Sequence, residues 1–399
     1  MALLRFCLCL LSFIALNARC AEKVSLVTSQ PCAARIEFGV QKLGSALTAS
    51  DYRVTFSGSS AVPGKGIVIA VGEYGDSTIR EFARKASLKI PKKPGSEGFS
   101  IVSGKNTIMI IGTDASGALY GCLELADSVR KDGKLPNHLN KSDQPEMVLR
   151  GACIGMQKTT YLPGRDVYEY PYTPENFPWF YNKDLWIKYL DMLAENRMNS
   201  LYLWNGHPFA SLVKLSDYPY AVEVDDSTFA KNEEIFSFLT READKRGIWV
   251  IQMFYNIIVS KPFAEHHGIK TQDRSRALSP LISDYTRKSV AAFIEKYPNV
   301  GLMVCLGEAI NTTEDDIDWF TKTIIPGIRD GMTVLGLTAE PPLILRGHDT
   351  EPQRVMAAAL PLYKNLYTMQ KYNGESLTTY EPRGTWASIH RDLSRLGSV

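Results

Sequence analysis

The sequence predicts an α/β protein: a small N-terminal α/β domain followed by a TIM-type (β/α) barrel, with about six of its eight units present. Three observations predict it. From residue 147 onward, apolar runs of strand length alternate with longer amphipathic stretches. The turns entering the strands are short and the loops leaving them are long, as in barrel enzymes. One run, Gly301-Leu302-Met303-Val304-Cys305-Leu306-Gly307-Glu308-Ala309, ends abruptly on a carboxylate. A strand tip of this kind is where such barrels keep their catalytic groups.

The elements follow in order. Residues 1–21 read as a secretory signal: a short basic start to Arg5, an apolar stretch from Phe6 to Leu16, and small residues near Ala18-Arg19-Cys20-Ala21. The apolar stretch is too short for a permanent membrane anchor, so the chain is expected to be exported, periplasmic or extracellular. A lipoprotein at Cys20 is the alternative, against which Arg19 stands. Residues 22–132 form the small domain, with strands at Val24–Thr28, Tyr52–Phe56 and Ile67–Gly72 and helices at Cys32–Leu43 and Ser77–Leu88. A hairpin of Gly98–Ser103 and Thr107–Gly112 turns at Gly104-Lys105-Asn106, and Asp114 and Ser116 open a helix over Gly117–Arg130. The stretch 133–146 reads as a linker.

In the barrel, residues 147–399, strands are predicted at Met147–Ile154, Ser200–Trp204, Trp249–Tyr255, Gly301–Leu306, Pro342–Arg346 and Leu366–Lys371. Helices are predicted at Lys183–Arg197, Thr228–Arg246, Ser279–Tyr297, Glu314–Leu335, Glu351–Lys364 and about Trp386–Leu396. A doubly wound sheet is disfavoured because no glycine-rich phosphate loop follows the first strand. Six units leave the barrel incomplete at Val399.

Composition excludes several functions. The formal net charge is +2 with no long basic run, so nothing points to nucleic acid. Without the signal, Cys32, Cys122, Cys153 and Cys305 remain, with or without Cys20. Sparse and unpatterned, they read as core fillers rather than a disulfide framework, Cys153 and Cys305 in buried strands and Cys122 in a helix. No metal-ligand spacing occurs. Glu265-His266-His267 reads as a solvated loop, because adjacent histidines point apart. No metal or cofactor is expected.

Read in order, the strand tips collect polar and aromatic side chains. The first tip carries Gln157, Lys158 and Arg165 in an aromatic loop running to Tyr181. The second carries Trp204, Asn205 and His207, and the third Tyr255 and Asn256. The fourth carries Glu308, the fifth Arg346 and His348, and the sixth Lys371, Tyr372 and Glu375, with Glu381 just beyond. Aromatic rings cover sugar faces, and amides, imidazoles and carboxylates hydrogen-bond hydroxyls. Guanidinium and ammonium groups (Arg165, Arg346, Lys371) suit a sugar that bears a carboxylate.

These residues carry a resemblance. The chain resembles the family 67 α-glucuronidases and the related family 20 hexosaminidases, which place an accessory α/β domain before a (β/α)8 barrel. The small domain is similar through Gly98-Phe99-Ser100-Ile101 and Gly112-Thr113-Asp114-Ala115-Ser116-Gly117-Ala118-Leu119-Tyr120-Gly121. The barrel is similar through Leu190-Asp191-Met192-Leu193-Ala194-Glu195-Asn196-Arg197-Met198-Asn199-Ser200 leading to Trp204-Asn205. The resemblance implies that Glu308 is a general acid and that Glu375 or Glu381 is the base. Gly307 stands where family 20 carries an Asp, which argues against substrate-assisted chemistry. The expected function is therefore an exported, α-glucuronidase-like glycoside hydrolase acting on a polysaccharide side chain. A non-catalytic carbohydrate-binding protein is the alternative, and a barrel lyase or isomerase a weaker one.

Overall fold

The computed structural model describes residues 21–58, 66–158, 160–163, 165, 170–255, 257–273, 275, 278–307, 310–372, 380–393 and 395–396. The chain divides into two compact units between Glu146 and Met147.

The first unit is built on a six-stranded sheet. Its strands are β1 (Lys23–Thr28), β2 (Arg53–Ser57), β3 (Ile67–Glu73), β4 (Phe99–Gly104), β5 (Thr107–Gly112) and β6 (Asn140–Asp143), in the order β2-β1-β3-β5-β4-β6. The first four positions are parallel, and β4 runs antiparallel to both β5 and β6. Strands of this kind are apolar on both faces because helices cover both. Ile69, Val71, Ile108 and Ile110 pack under α1 (Ala34–Ala49) and α3 (Ala115–Asp132). Val68, Ala70, Met109 and Ile111 pack under α2 (Ser77–Lys85) on the other face. Asp76 and Asp114 cap α2 and α3 by accepting from Thr78 N and Gly117 N.

Two expectations change here. The 133–146 stretch is not merely a linker, since Asn140–Asp143 pairs with β4 and extends the sheet. Its four residues are all exposed and polar, so no apolar alternation announced a strand. The first helix starts two residues later and ends six residues later than its apolar stripe suggested.

The second unit is a parallel sheet of six strands: β7 (Gly151–Gly155), β8 (Ser200–Trp204), β9 (Trp249–Tyr255), β10 (Val300–Cys305), β11 (Leu343–Arg346) and β12 (Leu366–Met369). Each strand pairs with its sequence neighbours, in the order β12-β11-β10-β9-β8-β7. A doubly wound sheet would reverse direction at a switch point, and this one never does. That sequential order is the barrel order, here spanning six strands. Between the strands lie α4 (Lys183–Glu195), the short α5 (Phe209–Leu212), α6 (Asp226–Lys245), α7 (Lys261–His267), α8 (Pro280–Lys296), α9 (Thr313–Trp319), α10 (Ile325–Leu335) and α11 (Pro352–Ala359). α12 (Thr385–Leu393) follows β12.

The single helix expected over Glu314–Leu335 is broken by a π turn at Phe320–Ile324. Pro326 explains it: its ring lacks an N–H and clashes with the carbonyl four residues back, so the preceding turn widens. Glu265-His266-His267 lies in α7 and not in a loop, closed by Gly268 in the left-handed region. His266 stacks on Tyr220 with ring centroids 3.8 Å apart, and Tyr220 bonds His267 Nε2 at 2.7 Å. Among the described residues no helix is long and apolar enough to cross a membrane.

Candidate active site

The two faces of the barrel sheet differ in kind. Toward the helices point Leu201, Leu203, Val250, Leu302, Val304, Leu343 and Leu345, all fully buried. Away from them the registers align side chains in rows. Trp204, Met253, Met303, Ile344 and Tyr367 form one row, and Tyr255, Cys305, Arg346 and Met369 form the row nearest the carboxyl ends. Rows of inward side chains are how a (β/α) barrel fills its interior.

Into this apolar layer the sequence introduces one cation. Arg346 is only 3% exposed, and its guanidinium lies over the Trp204 ring at 5.6 Å. Tyr255 stands beside them, its ring 6.3 Å from that of Trp204. The Trp204 indole N–H is buried and finds no acceptor among the described residues. Arg346 likewise has no carboxylate partner among them. A buried guanidinium without a counter-charge is costly, and so is an unmade buried hydrogen bond. The Trp204 donor and the Arg346 cation, side by side at one strand end, would suit an anionic, acceptor-rich guest.

Cys153, read from sequence as a buried core filler, lies near this arginine. It is exposed on β7 rather than buried, with the Arg346 charge close by. Its signal was the period-two series Gly151, Cys153, Gly155, which leaves that strand with small side chains on one face.

Other nominated residues serve a different purpose. Asn205 is fully buried: its Nδ2 donates to Tyr170 O at 2.8 Å and its Oδ1 accepts from His207 N at 3.0 Å. Gln252, Tyr172 and Asn232 continue the pattern. The Tyr172 hydroxyl meets Gln252 Oε1 at 3.3 Å, and Asn232 Nδ2 donates to Tyr172 O at 2.8 Å. The aromatic loop expected to stack sugars is largely packed, with Tyr170, Tyr172 and Phe180 at most 1% exposed. Arg165 is held by Glu223 in a two-bond fork of 2.9 and 3.2 Å, with both side chains buried. Glu223 also accepts from the backbone N–H of Lys261. These partners lie tens of residues apart, so no local spacing could announce them.

His207 belongs to the same buried network. Its Nε2 shares a hydrogen bond of 2.9 Å with the Tyr285 hydroxyl. Burial, aided by the nearby Arg165 charge, pushes its imidazole down to about 3. A folded-state value below the ordinary ~6.5 means that the unfolded chain takes up the proton first. Stability is therefore expected to fall as pH drops from about 6.5 toward 3. Urea unfolding at pH 7.5 and 4.5 measures this, and His207→Gln should shrink the difference. An unchanged difference in the variant would sink the assignment.

The remaining nominated residues lie at the rim. Lys158 is exposed, its Nζ 5.7 Å from the centre of the Tyr170 ring. His348 and Lys371 are partly buried, and Tyr372, 55% exposed, donates to Tyr380 O at 3.0 Å. Glu381 is exposed. Glu308, Glu375 and Asn256 fall outside the described residues.

The residue before Glu308 is well defined. Gly307 is buried, and a Cβ placed on it would lie 2.1 Å from the carbonyl oxygen of Asp349 and 2.3 Å from that of His348. No side chain fits there. The loop after β10 is thus seated directly on the backbone of the loop after β11. Thr312 then caps α9 by accepting from Asp315 N at 3.1 Å. Behind this junction, burial pushes Asp316 up to about 6, and the Thr350 hydroxyl donates to it at 2.5 Å.

No protein-family profile matches the sequence. Solved structures do. A GH138 enzyme targeting pectin rhamnogalacturonan II is 61% identical with a TM-score of 0.84, over 94% of this chain and 52% of that one. CpGH84D shares 11% identity at a TM-score of 0.60, over 94% of this chain and 56% of its own. The Flavobacterium johnsoniae chitobiase, of family GH20, shares 14% at 0.55, over 88% and 56%. The latter two likenesses are of fold alone. The chain spans about half the length of each of these three structures. The structures it resembles are glycoside hydrolases, and none of these three is a family 67 enzyme.

Proposed function

We propose that this chain is the acid-bearing part of an exported glycoside hydrolase that removes a uronic acid from a pectic side chain. The observation that carries the uronide reading is Arg346, a guanidinium 3% exposed with no carboxylate partner among the described residues. A substrate carboxylate would supply the missing charge in a bidentate fork, and a sugar hydroxyl or ring oxygen could accept from the Trp204 indole. The glycoside hydrolase part draws on the 61% identical enzyme that targets a pectin.

In this mechanism Glu308, just beyond β10, protonates the leaving glycosidic oxygen. Glu375 or Glu381 is the base candidate. An inverting course would hold it about 6.5–9.5 Å from the acid, with room for the attacking water. The α-glucuronidase likeness and the base assignment rest on motif position alone.

Arg346→Met is the discriminating variant. Loss of a buried charge pair costs about 2–5 kcal/mol, so kcat/KM on an aryl uronide is expected to fall about 30-fold to several thousand-fold. The matched neutral aryl glycoside, lacking the carboxylate, should be hydrolysed no worse than before. Equal losses on both would remove the uronide reading. The reaction type is tested on rhamnogalacturonan II by chromatography of released sugars. Saturated uronic acid supports hydrolysis, an unsaturated product indicates a lyase, and binding without release indicates a non-catalytic protein.

A further inference from the structure

The small domain holds a cleft that the mechanism above does not use. It opens at the carboxyl ends of β1 and β2, against the first half of α1, with a volume of about 610 Å³. β1 is where the strand order turns, the chain running outward to β2 and then back across to β3. Open α/β sheets bind ligands outside the carboxyl ends of their strands at such a reversal. The volume lies within the range of small-molecule sites.

Its lining is specific in kind. Leu26 and Val40 make an apolar floor, and Gln30, Glu37 and Gln41 supply acceptors and amide donors. Phe56 closes one side and is 61% exposed, an unusual place for a large aromatic ring. The ring is nonetheless held. A Cβ on Gly44 would lie 2.8 Å from its tip, so one edge rests on α1 where the helix has no side chain. A ring already fixed loses little freedom on stacking a guest. Among the described residues no Lys or Arg lines the cleft, and the one carboxylate among them, Glu37, would repel an anion.

We propose that this cleft is a second carbohydrate site, for an uncharged oligosaccharide that stacks on Phe56 and hydrogen-bonds Gln30, Glu37 and Gln41. It rests on the polysaccharide reading given above.

The test uses the full chain and reads binding apart from turnover. Cys32 lines the cleft and reports on it locally, whereas Cys153 lies in the other unit. Neutral tetrasaccharides derived from galactan, arabinan and xylan are the probes, with tetragalacturonate as the acidic control. At least one neutral probe should slow Cys32 alkylation, followed by peptide mass spectrometry, threefold or more without affecting Cys153. Phe56→Ala should weaken its calorimetric Kd at least fivefold and leave hydrolysis of a small aryl glycoside unchanged. If Phe56→Ala fails to fold, Gln41→Ala, at an exposed helix position, replaces it with the same expectation. Failure of all neutral probes to protect Cys32, or equal binding of tetragalacturonate with the same sensitivity to Phe56→Ala, overturns the proposal. Glu308→Gln should slow turnover of the natural linkage and retain this binding. Loss of the site and loss of the hydrolase reading are therefore separable.

Discussion

Replacing Glu308 by Gln is expected to lower kcat on a natural uronide linkage by about 10²–10⁴-fold, the usual contribution of a positioned general acid. The amide keeps the shape of the carboxyl group and removes the proton. On an aryl glycoside with a good leaving group, protonation matters less, so the loss there should be far smaller. KM should change little, because the acid acts chiefly in the transition state. Steady-state kinetics on the two substrate types checks this. Parallel losses on both would assign Glu308 to binding or folding instead of proton donation.

Gly307→Ala is expected to be nearly as damaging for a different reason. The added methyl would sit 2.1 Å from one backbone carbonyl oxygen and 2.3 Å from another, and neither can rotate away as a side-chain end could. Overpacking of this sort costs about 1–3 kcal/mol and is relieved by moving backbone. The backbone that moves precedes Glu308, and a shift of about 1 Å near reacting groups can cost about 10²-fold in rate. Thermal unfolding should show a lower Tm, and kcat should drop by about that factor. Wild-type Tm and rate in Gly307→Ala would show that the two loops are not in contact. Gly307→Asp should be worse, since it adds a charge to the same clash. The Asp-Glu pair of family 20 therefore has no room in this chain, a steric reason for what the sequence suggested only by its lack of the Asp.

The barrel order and most elements were legible from sequence because each leaves a local mark. β9 and β10 are apolar runs of strand length, and α6 and α8 are amphipathic stretches, which the structure caps with Asp225 and Ser279. β6 left no such mark, being held by backbone bonds to β4 and carrying only polar side chains. The site was half legible for a related reason. Strand tips can be counted along a sequence, so Trp204, Tyr255 and Arg346 could be nominated, and the structure places them side by side. Whether a tip residue faces the barrel interior or its helices depends on strand register, and Asn205 and His207 face the buried side. Arg165 read as a substrate clamp because its partner Glu223 lies 58 residues away.

The bonded framework of Asn205, Tyr172, Asn232 and Gln252 also bears on how this protein can change. Substitutions there act on folding before they act on chemistry, so selection for a new substrate would have few viable steps on that side. Variation is freer at the tips of β11 and β12, where His348, Lys371 and Tyr372 are partly or fully exposed. A library aimed at altered sugar preference is best confined to those tips, with the loop after β7 left as found.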